Sequence, residues 1–220
     1  GQEALDGLPS GGGRGVLLFG AHLGSFEMLL AASRHHRGPP VSIAMYTENA
    51  RRINATLAAL NPATQPDIIP LGQLDSLIAL HQRLKKGTPV GLLADRAVVA
   101  DQDVWLPFLG APARFPSGPF RLAVMLRQPV YFMTGLYLGG NRYQVFIEPL
   151  ASFAAQGTGQ DREACIHDLM ERYVARLEQH CRAAPYNWFN FYDFWGSDAP
   201  RSEEHTSELQ SRVDISYAVF

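Results

Sequence analysis

The sequence predicts an α/β fold in which a mostly parallel sheet is flanked by helices. Three observations predict it. Short apolar runs such as GVLLFG (15–20), VSIAMY (41–46) and PVGLLAD (89–95) are bounded by glycine, proline or charge, the pattern of strands buried on both faces. Segments with helical spacing lie between them, as in βαβ units. Polar residues then collect where two of the runs end, His22 after the first and Asp95-Arg96 after PVGLLA. Open α/β sheets build their sites beyond the carboxyl ends of their strands.

The elements follow in order. GVLLFG leads to SFEMLLAASRHH (25–36), a helix with Ser25 as N-cap and Gly38 with two prolines at its end. VSIAMY leads to a second helix, ENARRINATLAAL (48–60), closed by Asn61-Pro62. DIIPL (67–71) is a short strand before the helix LDSLIALHQRLKKG (74–87), whose terminal Lys85 and Lys86 suit the helix dipole. After PVGLLAD and a polar loop comes 104–128, with a helix in its second half starting near Ser117. PVYFMTGLYL (129–138) and RYQVFIEPL (142–150) form a strand pair turned by Gly139-Gly140-Asn141, and a long amphipathic helix covers about 161–183. The late strand pair makes an antiparallel addition to the sheet.

The chain has 220 residues, is 46% hydrophobic and carries a formal charge of -2, which fits one globular domain. No basic cluster stands out, and this argues against nucleic acid as a partner. Cys165 and Cys181 share one expected helix, roughly 24 Å apart at its rise per residue, too far to bridge. They point to a reducing compartment. No apolar run is long enough for a membrane span.

The start at Gly1, without methionine or signal peptide and a few residues before the first core strand, reads as an N-terminal truncation. At the other end, RSEEHTSELQS (201–211) and ISYAVF (215–220) match the translation of a common short-read sequencing adapter. The expected division is therefore a domain over 1–200 and a non-native tail over 201–220. Without the tail, basic and acidic residues balance at 17 each, since it holds two of the 19 and four of the 21.

His22 and Glu27 are the first chemical candidates. On one regular helix they would sit about 140° apart. With His22 in the turn and Glu27 in the first helical turn, the chain can double back, and Gly20 and Gly24 allow it. A carboxylate on one ring nitrogen leaves the other free to take a proton from a hydroxyl. The alternative from spacing alone is a turn-capping histidine with a glutamate that complements the helix N-terminus.

RFPSGPF (114–120) is the second constellation. Ser117 and Pro119 start a helix, Gly118 admits a ligand to the backbone, and Arg114 stands beside the free N–H groups, which together suit phosphate or another anion. An ordinary capped helix with a surface arginine explains the same residues. Arg96 reads either as an ion pair with Asp95 or as an anion contact. Arg51 and Arg52 read as a solvated helix face or as substrate contacts. Ser25 lacks the surroundings of a nucleophile elbow. His35, His36, His81, His167 and His180 show no metal spacing and read as surface or boundary residues. PYNWFNFYDFW (185–195) has seven aromatic residues in eleven positions; core packing explains some of them, and so many together read as a greasy wall over a lipid site or a membrane-facing lip.

Taken together, AHLGSFE (21–27), LLADR (92–96), LPFLGAPARFPSGPFRLA (106–123) and the aromatic block resemble, in order, the bacterial lysophospholipid acyltransferase-like proteins that include the lipid A late acyltransferases. The resemblance covers nearly all of 15–195 and implies a glycerolipid acyltransferase-like fold. It implies transfer of a fatty acyl group from a thioester to a hydroxyl, with His22 as base and Glu27 orienting it. Arg52, Asp95, Arg96, Arg114, Ser117 and Gly118 become the expected substrate contacts. No metal or resident cofactor is implied; acyl carrier protein, or else coenzyme A, carries the acyl group as co-substrate. The implied partners are that carrier, a lipid acceptor and a membrane surface. The implied place is the cytoplasmic face of a bacterial inner membrane, through an anchor absent from this fragment.

Three departures bear on the acceptor. The lipid A enzymes usually show Asn-Trp at Ser25-Phe26 and Asp-Gln at Asp95-Arg96, and their last block is basic where this one is aromatic. The aromatic wording is similar to acyltransferases of aryl polyene and related pigment pathways. A lysophospholipid or aminolipid acceptor served by the same dyad is one alternative. A catalytically silent lipid-binding protein is another, favoured if the His22 ring cannot approach Glu27 and faces no cavity.

Overall fold

A computed structural model describes residues 15–25, 28–29, 40–46, 67–72, 74–96, 103–153, 161–191 and 193–196. The expected helix at 48–60 with Arg51 and Arg52, most of the helix at 25–36 with Glu27, and the tail at 201–220 lie outside them. Eight strands are described: β1 (Leu17–Gly20), β2 (Ser42–Tyr46), β3 (Ile68–Leu71), β4 (Val90–Leu93), β5 (Asp103–Phe108), β6 (Ala111–Pro116), β7 (Val130–Tyr137) and β8 (Tyr143–Ala151). The helices are α1 (Leu74–Lys85), α2 (Gly118–Leu126) and α3 (Arg162–Ala183), followed by a short 3₁₀ turn at Pro185–Asn187.

Six strands form one sheet in the order β3-β2-β4-β1-β7-β8. The first five run parallel, and β8 pairs antiparallel with β7, as the apolar runs and the late hairpin predict. β1 lies at the centre, paired with β4 and β7, so its side chains have no face to show to water. Leu17 and Phe19 enter the main core, whereas Val16 and Leu18 join Leu29, Val41 and Met133 in a second cluster. Burial on both faces is why this strand reads as an unbroken apolar run.

α3 packs on the main core with a stripe that repeats every three or four residues: Ile166, Leu169, Met170, Tyr173, Val174, Leu177 and Cys181. Asp161 caps its start by accepting from the Glu163 N–H. Both cysteines are free, as their expected separation requires. His180 departs from the surface or boundary position expected for it: it is buried, stacked on Phe132 with an interplanar angle of 4°. Its Nε2 lies 3.0 Å from Glu148 Oε2 on β8, the polar partner that makes burial tolerable.

The sequence gives no sign of the β5–β6 hairpin. Pro107, Pro112 and Pro116 sit within it, and its two-residue loop is Leu109-Gly110, not the Asn-Gly pair that marks such turns. Leu109 takes a positive φ of 54°, and its N–H is held by Glu178 Oε2 of α3 at 3.0 Å. That bond, with Arg182 beside it, holds the Glu178 carboxyl below its usual range. A two-stranded ribbon tolerates proline because only one edge of each strand is paired.

Candidate active site

β1 and β4 are neighbours in register, Gly20 beside Leu93, so the residues that follow each strand emerge side by side. His22 and Asp95 meet there. The His22 Nδ1 lies 3.0 Å from both oxygens of the Asp95 carboxylate, and the His22 backbone N–H donates to Oδ2 at 2.9 Å. Asp95 is fully buried, while the His22 side chain is 37% exposed. An ionised carboxylate only accepts, so Nδ1 carries the proton. The Nε2 lone pair is then left for a substrate proton. His22 thus has the geometry of a base, with an orienting carboxylate that arrives from 73 residues along the chain.

The turn bearing His22 is sewn down on all sides. Thr134 Oγ1 of β7 donates to the Leu23 carbonyl at 2.8 Å, and the Ser25 N–H donates to the Gly135 carbonyl at 2.9 Å. Ser25 Oγ accepts from the Met28 N–H at 3.2 Å, so it caps the helix start as its sequence predicts. Gly24 has φ of +75°, and a Cβ there would stand 2.2 Å from the Gly135 carbonyl oxygen. No side chain fits. Gly24→Ala is expected to cost at least ~2 kcal/mol, from the left-handed backbone and the collision together, read as a lowered denaturation midpoint with unchanged slope.

The aromatic block closes the site from outside. The Phe189 N–H donates to the His22 carbonyl, the Gly24 N–H donates to the Asn187 carbonyl, and Leu23 bridges Trp188. The Asn187 side chain accepts from the Tyr137 N–H and donates to the Tyr137 carbonyl. Arg96 donates from Nη2 to the Phe189 carbonyl at 2.6 Å, with Nε 3.8 Å from Asp95. Of the two roles read for Arg96, the ion pair is present, and the guanidinium also clamps the aromatic segment. That segment divides its rings. Trp188, Phe194 and Trp195 pack against Phe108 of the hairpin, whereas Tyr186 and Phe191 are 98% and 89% exposed and Phe189 is 49% exposed.

Arg114, Ser117 and Gly118 form a second group where β6 meets α2. The Arg114 guanidinium is 3.0 Å from Asp103 and lies over the Trp105 ring at 5.7 Å. Ser117 is buried and makes no side-chain cap; its Oγ accepts instead from Arg121 Nε at 3.2 Å. The first turn of α2 has no acidic residue, and the space where a Gly118 side chain would stand is open. The helix start is open, and Arg114 already holds a carboxylate. Among the described residues no group of three or more His, Cys, Asp or Glu is placed to hold a metal ion, and no helix is long and apolar enough to cross a membrane.

Two further ionisable groups lie close to Asp95, both on α3. Burial, and then the Asp95 charge, pushes the Tyr173 phenol well above its ordinary value. Burial, followed by the charges of Asp95 and Glu178, pushes the Cys181 thiol up to about 12. Both groups therefore stay neutral. Sequence reading marked neither Tyr173 nor the contact of Asp95 with His22, because each joins elements distant in the chain. The one available signal was two polar clusters at equivalent ends of two apolar runs.

A family model described as bacterial lipid A biosynthesis acyltransferase matches residues 8–196. No curated protein matches the chain. The matched span contains His22, Asp95, the hairpin and the aromatic block.

Proposed function

We propose, from the premise that the chain belongs to the bacterial lipid A biosynthesis acyltransferase family and so is an acyltransferase with a lipid-like acceptor, that it moves a fatty acyl group from acyl carrier protein to a hydroxyl at a membrane surface. The observation that carries this reading is the buried Asp95 carboxylate on Nδ1 of the half-exposed His22. His22 Nε2 takes the acceptor's hydroxyl proton as its oxygen attacks the thioester carbonyl carbon. The C–O bond forms, the carbonyl becomes an oxyanion, and Asp95 stabilises the imidazolium. The C–S bond then breaks, and the carrier's thiolate takes the proton back from Nε2.

The resemblance assigns the orienting carboxylate to Glu27. Asp95 occupies Nδ1 and Nε2 is kept for the substrate, so the proposal gives the orienting role to Asp95, and Glu27, which lies outside the described residues, keeps it only as the resemblance implies. Donors at the start of α2, near Gly118, Ser117 and Arg114, are assigned to a phosphate or to the developing oxyanion. Arg52 is assigned to substrate contact, and Arg96 to holding the aromatic segment over the site. Coenzyme A is the second donor, and neither donor brings a metal or resident cofactor. An acceptor of the aryl polyene type is favoured over lipid A by Ser25-Phe26, Asp95-Arg96 and the aromatic last block. Acylation of lysophospholipid or aminolipid uses the same steps.

The exposed rings of Tyr186, Phe189 and Phe191 support a membrane-facing lip, since aromatic residues favour the headgroup level. The cytoplasmic face of the inner membrane is where the carrier protein and a lipid acceptor meet. Changing Tyr186 and Phe191 together to serine is expected to weaken binding to phospholipid vesicles roughly tenfold, as aromatic area is lost, with little change in stability. Vesicle co-sedimentation checks it. The donor is tested by incubating membranes holding the protein with labelled acyl carrier protein or labelled acyl coenzyme A. Label should pass to the lipid fraction from the carrier protein, and transfer from coenzyme A alone would overturn that choice.

A further inference from the structure

Tyr173 is a completely buried phenol that the transfer chemistry does not use. It stands midway along α3 with its ring against Phe19, Phe120 and Phe132. Its hydroxyl donates to the Gly20 carbonyl at 2.8 Å, and that same oxygen accepts the Ala94 N–H at 3.0 Å. Gly20 ends β1 two residues before His22, and Ala94 immediately precedes Asp95. The two strand ends, of His22 and of Asp95, are therefore tied through one oxygen, with a second tie from it to α3.

We propose that Tyr173 is a positioning residue for acyl transfer, its hydroxyl fixing the Gly20 carbonyl so that His22 meets Asp95 in register. The inference rests on the reading of His22 as the base. Burial and the Asp95 charge keep the phenol protonated, so it donates across the working range of pH. Packed between three rings, the side chain acts as a rigid post, and only its O–H reaches the strand end. Small displacements of catalytic groups cost large factors in rate.

The test uses the full chain in membranes or detergent, comparing wild type, Tyr173→Phe and His22→Ala. Tyr173→Phe keeps the ring and the core and removes one donor. Its kcat is expected to fall roughly tenfold while KM for donor and acceptor stays within about twofold. The imidazole ¹⁵N signals of His22, assigned by their loss in His22→Ala, should move from the Nδ1–H tautomer towards a mixture. An unchanged kcat and tautomer in Tyr173→Phe, with His22→Ala inactive, overturns the positioning role and leaves the base intact. So does a fall in kcat that tracks lost folding while the tautomer is unchanged. Full turnover in His22→Ala removes the base reading, and the role of Tyr173 with it.

Discussion

His22→Ala is expected to lower acyl transfer about 10³-fold, within the range that removal of a positioned general base produces. The loss should fall on kcat and on kcat/KM alike, because the proton is moved only in the transition state. The fold should survive. The His22 side chain is 37% exposed, and the backbone N–H that reaches Asp95 Oδ2 remains in the variant. What alanine leaves is a buried Asp95 with one partner fewer, so a modest fall in stability is expected beside the collapse in rate. Steady-state transfer and a denaturation curve on the same preparation separate the two effects.

Asp95→Asn comes next in size, at roughly 10²-fold or more. Its physical basis is the tautomer. An aspartate beside Nδ1 can only accept, which places the proton on Nδ1 and the lone pair on Nε2. An asparagine can turn its NH₂ towards Nδ1, which then becomes the acceptor and puts the proton on Nε2. The base is silenced while its geometry is kept. The imidazolium of the transition state also loses its counter-charge in a site where Asp95 has no exposure to water to soften that loss. Glu27→Gln measured alongside apportions the orienting role: a smaller loss there than in Asp95→Asn is the expected order.

The sheet was largely legible, and for a definable reason. A parallel strand covered on both faces must be apolar at every position, so GVLLFG, VSIAMY and PVGLLAD could hardly be anything else. The Gly139-Gly140-Asn141 turn also announced itself, since all three residues take positive φ, which glycine and asparagine adopt most easily. The β5–β6 hairpin did not, because its prolines contradict strand formation and its tight turn is held by Glu178 from another element. His180 was misplaced because only a distant Glu148 makes its burial tolerable.

The site was half legible. His22 and Asp95 each stand at the end of a readable strand, so both were named, but spacing directed attention to Glu27, five residues from His22. The partner found on Nδ1 belongs to the neighbouring strand, and only the sheet order β4-β1 reveals that adjacency. Core packing was expected for some rings of the aromatic block, but the sequence does not say which. The structure divides the block into rings that pack against the hairpin and rings exposed to solvent, a division that depends on which residues the hairpin covers.

The central claim is that His22, held by Asp95, is the base for acyl transfer. Its most direct test is the free carrier thiol released from long-chain acyl carrier protein in membranes, followed side by side for wild type, His22→Ala and Asp95→Asn. Release that falls by roughly 10² or more in both variants, with folding preserved, is the result this account predicts. Equal release by all three proteins would contradict it.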